Sequence, residues 1–545
     1  MLTKGLPVNP GELPASAHSW APGDAHPQGT RSSGGEGTPE GSEQALKRSH
    51  LLPRETGGAG TGRRAVLRVH STEEGGEAQG SRKGRPRYPL EGRDEQVDAS
   101  IQCHRHETLN SRNACQMELN RIAELAKQDA GRKFYSIAHF LTGGALWAAF
   151  ASLRKDAAAG VDGVRYADYE EQLIENIVKL QEKLKSGSYR AQPLRRIYID
   201  KEDGRKRPIS IPALEDKIVQ KATVALLEAI FEQDFLECSY GFRPRRNAHD
   251  ALDEVGRVIC RRPTQYVLEL DICSYFDSIV RERLMEMIEH RVSDASILRL
   301  IRKWINIGVI DEGRLLQSET GTGQGQIISP LLANIYLHHV LDVWFEEQVK
   351  PRLKGQAFEI RYADDALLCF QCREDAQRVL AVLPKRFAKY GLQLHPQKTR
   401  LVEFGRRAHA RAQRTKRAAG TFDFLGFTHR CATSHKGKFT VHVGTMKQRL
   451  RRSLKAIAEW CQTHRHDPVE YQRLMLNAKL RGHYQYYGRP TNHRSLIRFF
   501  RSVRRIWHKW LQRRTRGRLL PWDSFAKLLA RHPLRVPRIT RAWTP

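Results

Sequence analysis

The segment Phe358-Glu359-Ile360-Arg361-Tyr362-Ala363-Asp364-Asp365-Ala366-Leu367-Leu368-Cys369-Phe370 constrains the fold more than any other. Short apolar runs flank adjacent carboxylates, a pattern that predicts a β-hairpin with the acids at its turn. Neighbouring carboxylates repel, and an apolar frame makes their ionisation costly unless a cation neutralises them. Magnesium suits such hard oxygen donors and keeps positions open for phosphates. Alone, an Asp-Asp turn is weak evidence, because aspartate is a common turn residue.

A second strand, Tyr266-Val267-Leu268-Glu269-Leu270, runs into Asp271, and Asp277 follows it. Brought beside the hairpin, Asp271 would join Asp364 and Asp365 in a set suited to two magnesium ions, with manganese as a substitute. Nucleotidyl transfer requires little more than such a set plus positioning: a more acidic 3′-hydroxyl and a stabilised pyrophosphate leaving group. The sequence Arg196-Ile197-Tyr198-Ile199, a turn at Asp203-Gly204 and Pro208-Ile209-Ser210-Ile211-Pro212 predict another hairpin, with Lys201, Arg205, Lys206 and Arg207 around its tip.

Charge points to the class of partner. Lysine and arginine total 92 against 60 acidic residues, a net +32. From Val441 onward there are 25 Lys and Arg against 4 Asp and Glu, so that stretch holds 21 of the 32 net charges. A generally basic, solvated surface rarely gives such a skew, and a nucleic acid is the expected partner. Between Ile497 and Arg514, helical spacing places Phe499, Phe500, Val503, Ile506, Trp507, Trp510 and Leu511 on one face. Arg501, Arg504, Arg505, Lys509 and Arg513 lie largely off it, so the aromatics are expected to pack inward while the cations face phosphates. Helices are also predicted at Met117–Lys127 and Tyr169–Leu184.

Other features exclude more than they suggest. The 9 cysteines lack a disulfide-framework spacing, and the lone Cys369-x-x-Cys372 reads as buried thiols rather than a zinc site. Cys103 beside His104 and His106 reads as loop. There is no secretory leader and no apolar run of membrane-spanning length, so secretion and membrane insertion are not expected. Residues 1–105 are rich in Gly, Pro, Ser, Arg and Glu, and read as a disordered or non-native extension.

Over about residues 115–545 the chain resembles group II intron-encoded reverse transcriptase/maturases. Eight segments occur in family order: Ala159-Gly160-Val161-Asp162-Gly163-Val164, Arg207-Pro208-Ile209-Ser210-Ile211-Pro212, Ser239-Tyr240-Gly241-Phe242-Arg243-Pro244, Leu270-Asp271-Ile272 running to Tyr275-Phe276-Asp277, Gln324-Gly325-Gln326-Ile327-Ile328-Ser329-Pro330, Tyr362-Ala363-Asp364-Asp365, His395-Pro396-Gln397-Lys398-Thr399 and Phe424-Leu425-Gly426-Phe427. Leu480 to Gly488 resembles the family's thumb, or maturase, domain.

The resemblance implies an α+β fold. A right-hand polymerase fingers and palm with an antiparallel palm sheet would span 106–430, followed by an all-α basic thumb/maturase domain over 431–545. It implies metal ligation by Asp271, Asp364 and Asp365 with help from the Ile272 carbonyl, and a nucleotide pocket of Arg205, Arg207, Phe276, Gln324 and Lys398. Phe276 would exclude a ribose 2′-hydroxyl; its alternative is an ordinary core aromatic, and for the cations a solvated surface. Partners would be intron RNA, a DNA target and primer, and dNTPs, in a bacterial cytoplasm. Nothing after Cys461 resembles the family's Cys- and His-bearing endonuclease, which implies priming from an existing DNA 3′ end.

The departure from the family lies in the pocket loop. Where Gly-Thr-Pro-Gln-Gly-Gly is common, this chain has Gly321-Thr322-Gly323-Gln324-Gly325-Gln326. Losing the proline frees the backbone, and Gln326 replaces a residue free to take positive φ, so an altered template or nucleotide pocket is expected. Three other readings stay open: a domesticated or defence-associated reverse transcriptase without an intron, a splicing cofactor whose polymerase has decayed, and an RNA-dependent RNA polymerase. Phe276 disfavours the last.

Overall fold

The computed structural model describes residues 116–200, 206–317, 320–514 and 519–541. The extension expected over 1–105, and the tip residues Lys201 and Arg205, lie outside the described residues. Among the described residues, eleven strands make three sheets. The first sheet joins β1 (Leu194–Asp200), β2 (Lys206–Ile211), β4 (Val309–Asp311) and β5 (Arg314–Leu316) in the order β2-β1-β4-β5. The expected hairpin is present, with Ile199 opposite Arg207. Pro208 is tolerated in β2 because that strand is at the sheet edge.

The second sheet is wholly antiparallel: β3 (Tyr266–Leu270), β6 (Ala357–Tyr362), β7 (Asp365–Phe370) and β8 (Arg400–Glu403), ordered β6-β7-β3-β8. Both of its faces are covered, which explains the unbroken apolar run in β7. Leu268, Leu270, Ala366, Leu368 and Phe370 face a core shared with helices α1 (Leu214–Phe231), α3 (Ser329–Leu337) and α4 (Arg373–Ala388). The alternate residues Val267, Leu367 and Cys369 face the opposite way, against α2 (Ala248–Arg261) and the third sheet. Cys369 is fully buried there, and both it and Cys372 are free thiols.

The third sheet, β9 (Thr421–Phe424), β10 (Phe427–Thr433) and β11 (Phe439–Thr445), corrects the expectation of an all-α region from residue 431. Strand structure persists to Thr445 because Val441 and Val443 alternate into the core, the signature of a half-buried strand. The β9–β10 loop is Leu425-Gly426 with φ of 48° and 79°, the two positive values a tight type I′ hairpin needs. The helix expected over Tyr169–Leu184 is also corrected: it divides into Tyr166–Glu170 and Leu173–Lys185, broken at Gln172 with ψ of 36°.

Helices α5 (Lys447–Thr463), α6 (Val469–Tyr487), α7 (His493–Gln512) and α8 (Trp522–Arg531) follow. They enclose a core of their own that includes Leu480, Phe499, Val503, Trp507, Leu511 and Phe525. Trp507 is completely buried and its indole N–H donates to Gln472 at 2.9 Å. Trp507→Ala removes that packing and leaves a cavity, so chemical denaturation should register a loss of about 3–5 kcal/mol. Tyr486 fastens these helices to the third sheet by donating to the Leu425 carbonyl at 2.8 Å, and Arg489 pairs with Asp253 of α2. Among the described residues no helix is long and apolar enough to cross a membrane.

Candidate catalytic site

The strand register brings the three acids together. Leu270 pairs with Ala366, and Tyr362 with Asp365, so Asp271 leaves β3 beside Asp365 at the β6–β7 turn. That turn is Ala363-Asp364, and Ala363 has φ of 58°, a conformation that costs a non-glycine residue on the order of 1–3 kcal/mol. The surroundings enforce it. Arg361 donates through Nη1 to the Ala363 carbonyl at 3.0 Å. Behind the turn lies the Ser239–Pro244 segment, where Tyr240 N donates to the Arg361 carbonyl at 2.8 Å. Gly241 is the closest approach: a Cβ there would stand 2.2 Å from the Ala363 nitrogen.

Electrostatics mark this corner as short of positive charge. Burial raises the pKa of Asp364, and nearby Asp271 raises it further. Asp365 is also pushed up, by desolvation first and then by Asp364 and Asp271, although solvent reaches it from the open side. The charges of Arg207, Lys398 and Arg449 oppose these shifts. Lys398 Nζ rests on Asp271 Oδ2 at 2.9 Å, and Asp271 O accepts from His395 N at 2.8 Å. Asp364 and Asp365, whose ionisation is held back by desolvation and by neighbouring carboxylates, together with Asp271 and the ammonium drawn onto it, form a donor set that fits a divalent cation.

Of the expected nucleotide residues, Arg207, Phe276, Gln324 and Lys398 are described, and they gather around the same corner. After Ser274, at φ of 43°, the short helical turn Tyr275–Ser278 carries a half-buried Phe276. Its carbonyl accepts from Thr322 N at 2.8 Å, and the half-buried Gln324 accepts through its carbonyl from Ser210 N of β2 at 2.7 Å. The pocket loop therefore bridges the strand bearing Arg207 and the turn bearing Phe276. Ile272 is buried and bridges to Leu394. Gln326 does not occupy positive φ; Gly321 and Gly325 do, at 88° and 116°, which corrects the expected role of position 326.

Two partners of the site escaped the sequence. Arg449, two residues past the start of α5, acts on Asp365 across a long loop of sequence, and no local pattern signals it. Arg361 is fully buried and binds Asp342 bidentately, Nε to Oδ1 at 2.6 Å and Nη2 to Oδ2 at 2.5 Å. Asp342, Glu359 and Cys238 lie close enough together to resemble a second metal set. Arg361 already supplies positive charge there, and burial followed by Asp342 holds Glu359 far above the usual carboxylate range, in its neutral form.

The basic residues expected to face phosphates lie on α7, with Arg513 one residue past its end. Arg501, Arg505, Lys509 and Arg513 are exposed, whereas Arg504 is half-buried with its guanidinium 5.9 Å from the centre of the Phe500 ring. Lys509 and Arg513 flank Trp510, at 5.7 and 5.1 Å.

Residues 199–429 match the protein family described as reverse transcriptase (RNA-dependent DNA polymerase). Protein YkfC of Escherichia coli is 40% identical over 207 residues, covering 37% of this chain and 53% of the relative. The group II intron-encoded protein LtrA of Lactococcus lactis is 31% identical over 280 residues, covering 49% and 46%. Nuclear intron maturase 4 of Arabidopsis thaliana is 29% identical over 136 residues, covering 25% and 17%. The chain thus spans about half the length of the first two relatives. Residues 199–429 thus match the reverse transcriptase family, and about half of the chain is similar to a group II intron-encoded protein.

Proposed function

We propose that this chain is an RNA-directed DNA polymerase that copies intron RNA into cDNA and also binds that RNA to assist splicing and mobility. The observation that carries the reading is the convergence of Asp271, Asp364 and Asp365 at one end of an antiparallel sheet within the matched domain. In this reading the β1–β2 hairpin belongs to the fingers, the β6-β7-β3-β8 sheet is the palm, and the helices from Lys447 are the thumb.

Asp271, Asp364 and Asp365 would hold two magnesium ions, with the Ile272 carbonyl assisting. When bound, magnesium would supply Lewis-acid stabilisation of charge on the attacking and leaving oxygens. The chain's own residues do the rest. Arg207 and Arg205 take the triphosphate from the hairpin side, and Lys398 can exchange Asp271 for a phosphate oxygen. Gln324 lines the pocket on the loop tied to β2. Phe276 stands where a 2′-hydroxyl would be rejected by bulk. The exposed cations of α7 neutralise RNA phosphates, a contribution that falls steeply with salt.

The deciding experiment is extension of a DNA primer on an RNA template with magnesium, wild type against Asp364→Asn. Wild-type activity no higher than the variant's would end the polymerase reading. Phe276→Ala should raise rNTP use relative to dNTP use by about 10–200-fold, the range for one small steric discrimination. Competition assays on the same template check it, and an unchanged ratio would return Phe276 to the ordinary core.

A further inference from the structure

The two departures in the pocket loop occupy one space. Gln326 is 3% exposed; its Nε2 donates to the Trp304 carbonyl at 3.1 Å and its Oε1 accepts from Gln220 Nε2 at 2.9 Å. Gln220, fully buried on α1, accepts in turn from Ile327 N at 3.0 Å. A Cβ on residue 323 would stand 2.8 Å from Gln326 Nε2 and 2.7 Å from Leu194 Cδ1. Both neighbours are side-chain ends, but Gln326 is fixed by two hydrogen bonds and Leu194 is buried. Any side chain at 323 therefore competes with the Gln326 amide for the same volume.

We propose that Gln326 and Gln220 are positioning residues for the nucleotide pocket, a buried amide pair that sets the loop and requires glycine at 323. The loop has few freedoms left once this pair is made. Gly321 N donates to the Ile279 carbonyl at 2.8 Å, and Ser329 Oγ donates to the Gly323 carbonyl at 3.0 Å. A Cβ on Gly325 would meet Ser210 O at 2.5 Å, so β2 and the loop are in backbone contact. The amide pair closes the remaining side, against α1 and the Trp304 carbonyl. Gln324, between these anchors, is held relative to both Phe276 and Arg207. The inference rests on the polymerase reading for what the loop positions, but not for the pair itself.

The test is a double-substitution cycle of Gly323→Ala, Gln326→Gly and their combination, read by dNTP KM, primer-template KM and melting temperature. Gly323→Ala should raise the dNTP KM by about tenfold and leave the primer-template KM within about twofold. Added to Gln326→Gly, the same alanine should cost less than about twofold, because the competing amide is gone and the Leu194 methyl can turn into the space it leaves. Gln326→Met, which keeps most of the volume without the hydrogen bonds, should also raise the dNTP KM. Equal alanine effects in both backgrounds, or a loss confined to primer-template KM, would overturn the proposal. If the wild type extends no primer, the polymerase reading fails separately. The melting temperatures then decide: additive losses reject the pair, and a much smaller alanine effect beside Gln326→Gly retains it.

Discussion

Asp364→Asn is expected to reduce primer extension by at least about 10³-fold, equivalent to about 4 kcal/mol of transition-state stabilisation, while leaving the fold intact. The substitution changes little in volume and removes a carboxylate that burial and Asp271 both disfavour. The metal-free variant should therefore melt no lower than the wild type. The sign of the pH effect follows from the same shifts. Asp364 and Asp365 have folded-state pKa values above their ordinary 3.8, so their ionisation costs stability. That cost is absent below the unfolded value and grows as pH rises through the folded ones. A cation bound by the carboxylates offsets it. Magnesium should raise the wild-type melting temperature more at about pH 8 than at about pH 5, and the difference should shrink in the variant. A magnesium shift independent of pH, or equal in both proteins, would place the ion elsewhere.

What the sequence made legible was local. The β6–β7 hairpin and β3 announced themselves through apolar runs ending in aspartate, and the ordered motifs fixed the domain. The antiparallel sheet then brought Asp271 to Asp365, as the hairpin pattern led us to expect. Long-range partners carried no such signal. Gln220 meets Gln326 from 106 residues away, and nothing in α1 distinguishes that glutamine from its neighbours. The parallel pairing of β1 with β4 is equally silent, since it consists of Leu194 with Val309 and Arg195 with Ile310. The strand content after residue 431 was readable in the alternation of Val441 and Val443, and the abundance of cations beyond it drew attention to helices instead. Gln326 read as a defect because a glycine usually fills that position. In the folded chain its side chain is a filled and bonded part of the loop.

Arg361→Met should be the most destabilising single change near the site, about 3–5 kcal/mol, because it strands Asp342 as an unpaired buried charge. Arg361 and Asp342 are both completely buried, and among the described residues the other cationic side chain in ion-pair reach of Asp342 is His338 at 3.9 Å. Burial lowers the His338 pKa to about 4, so at neutral pH it adds no charge. Burial works against the Arg361 charge too, but Asp342 outweighs it and holds the guanidinium protonated. Stability and function should separate in the double variant Arg361→Met, Asp342→Leu. Replacing both ions by apolar groups removes the stranded charge and should recover most of the lost stability. Activity should not return. Arg361 also donates to Asn334 Oδ1 at 3.1 Å and to the Ala363 carbonyl at 3.0 Å, and Asn334 Nδ2 holds the Gly241 carbonyl at 2.7 Å. Without the guanidinium the hydrogen bond to the Ala363 carbonyl is lost, and its positive φ can relax toward a form that carries Asp364 and Asp365 away from Asp271. Denaturation midpoints together with primer-extension rates for the three proteins check the separation. A double variant that regains activity in step with stability would show that the arginine serves the fold alone.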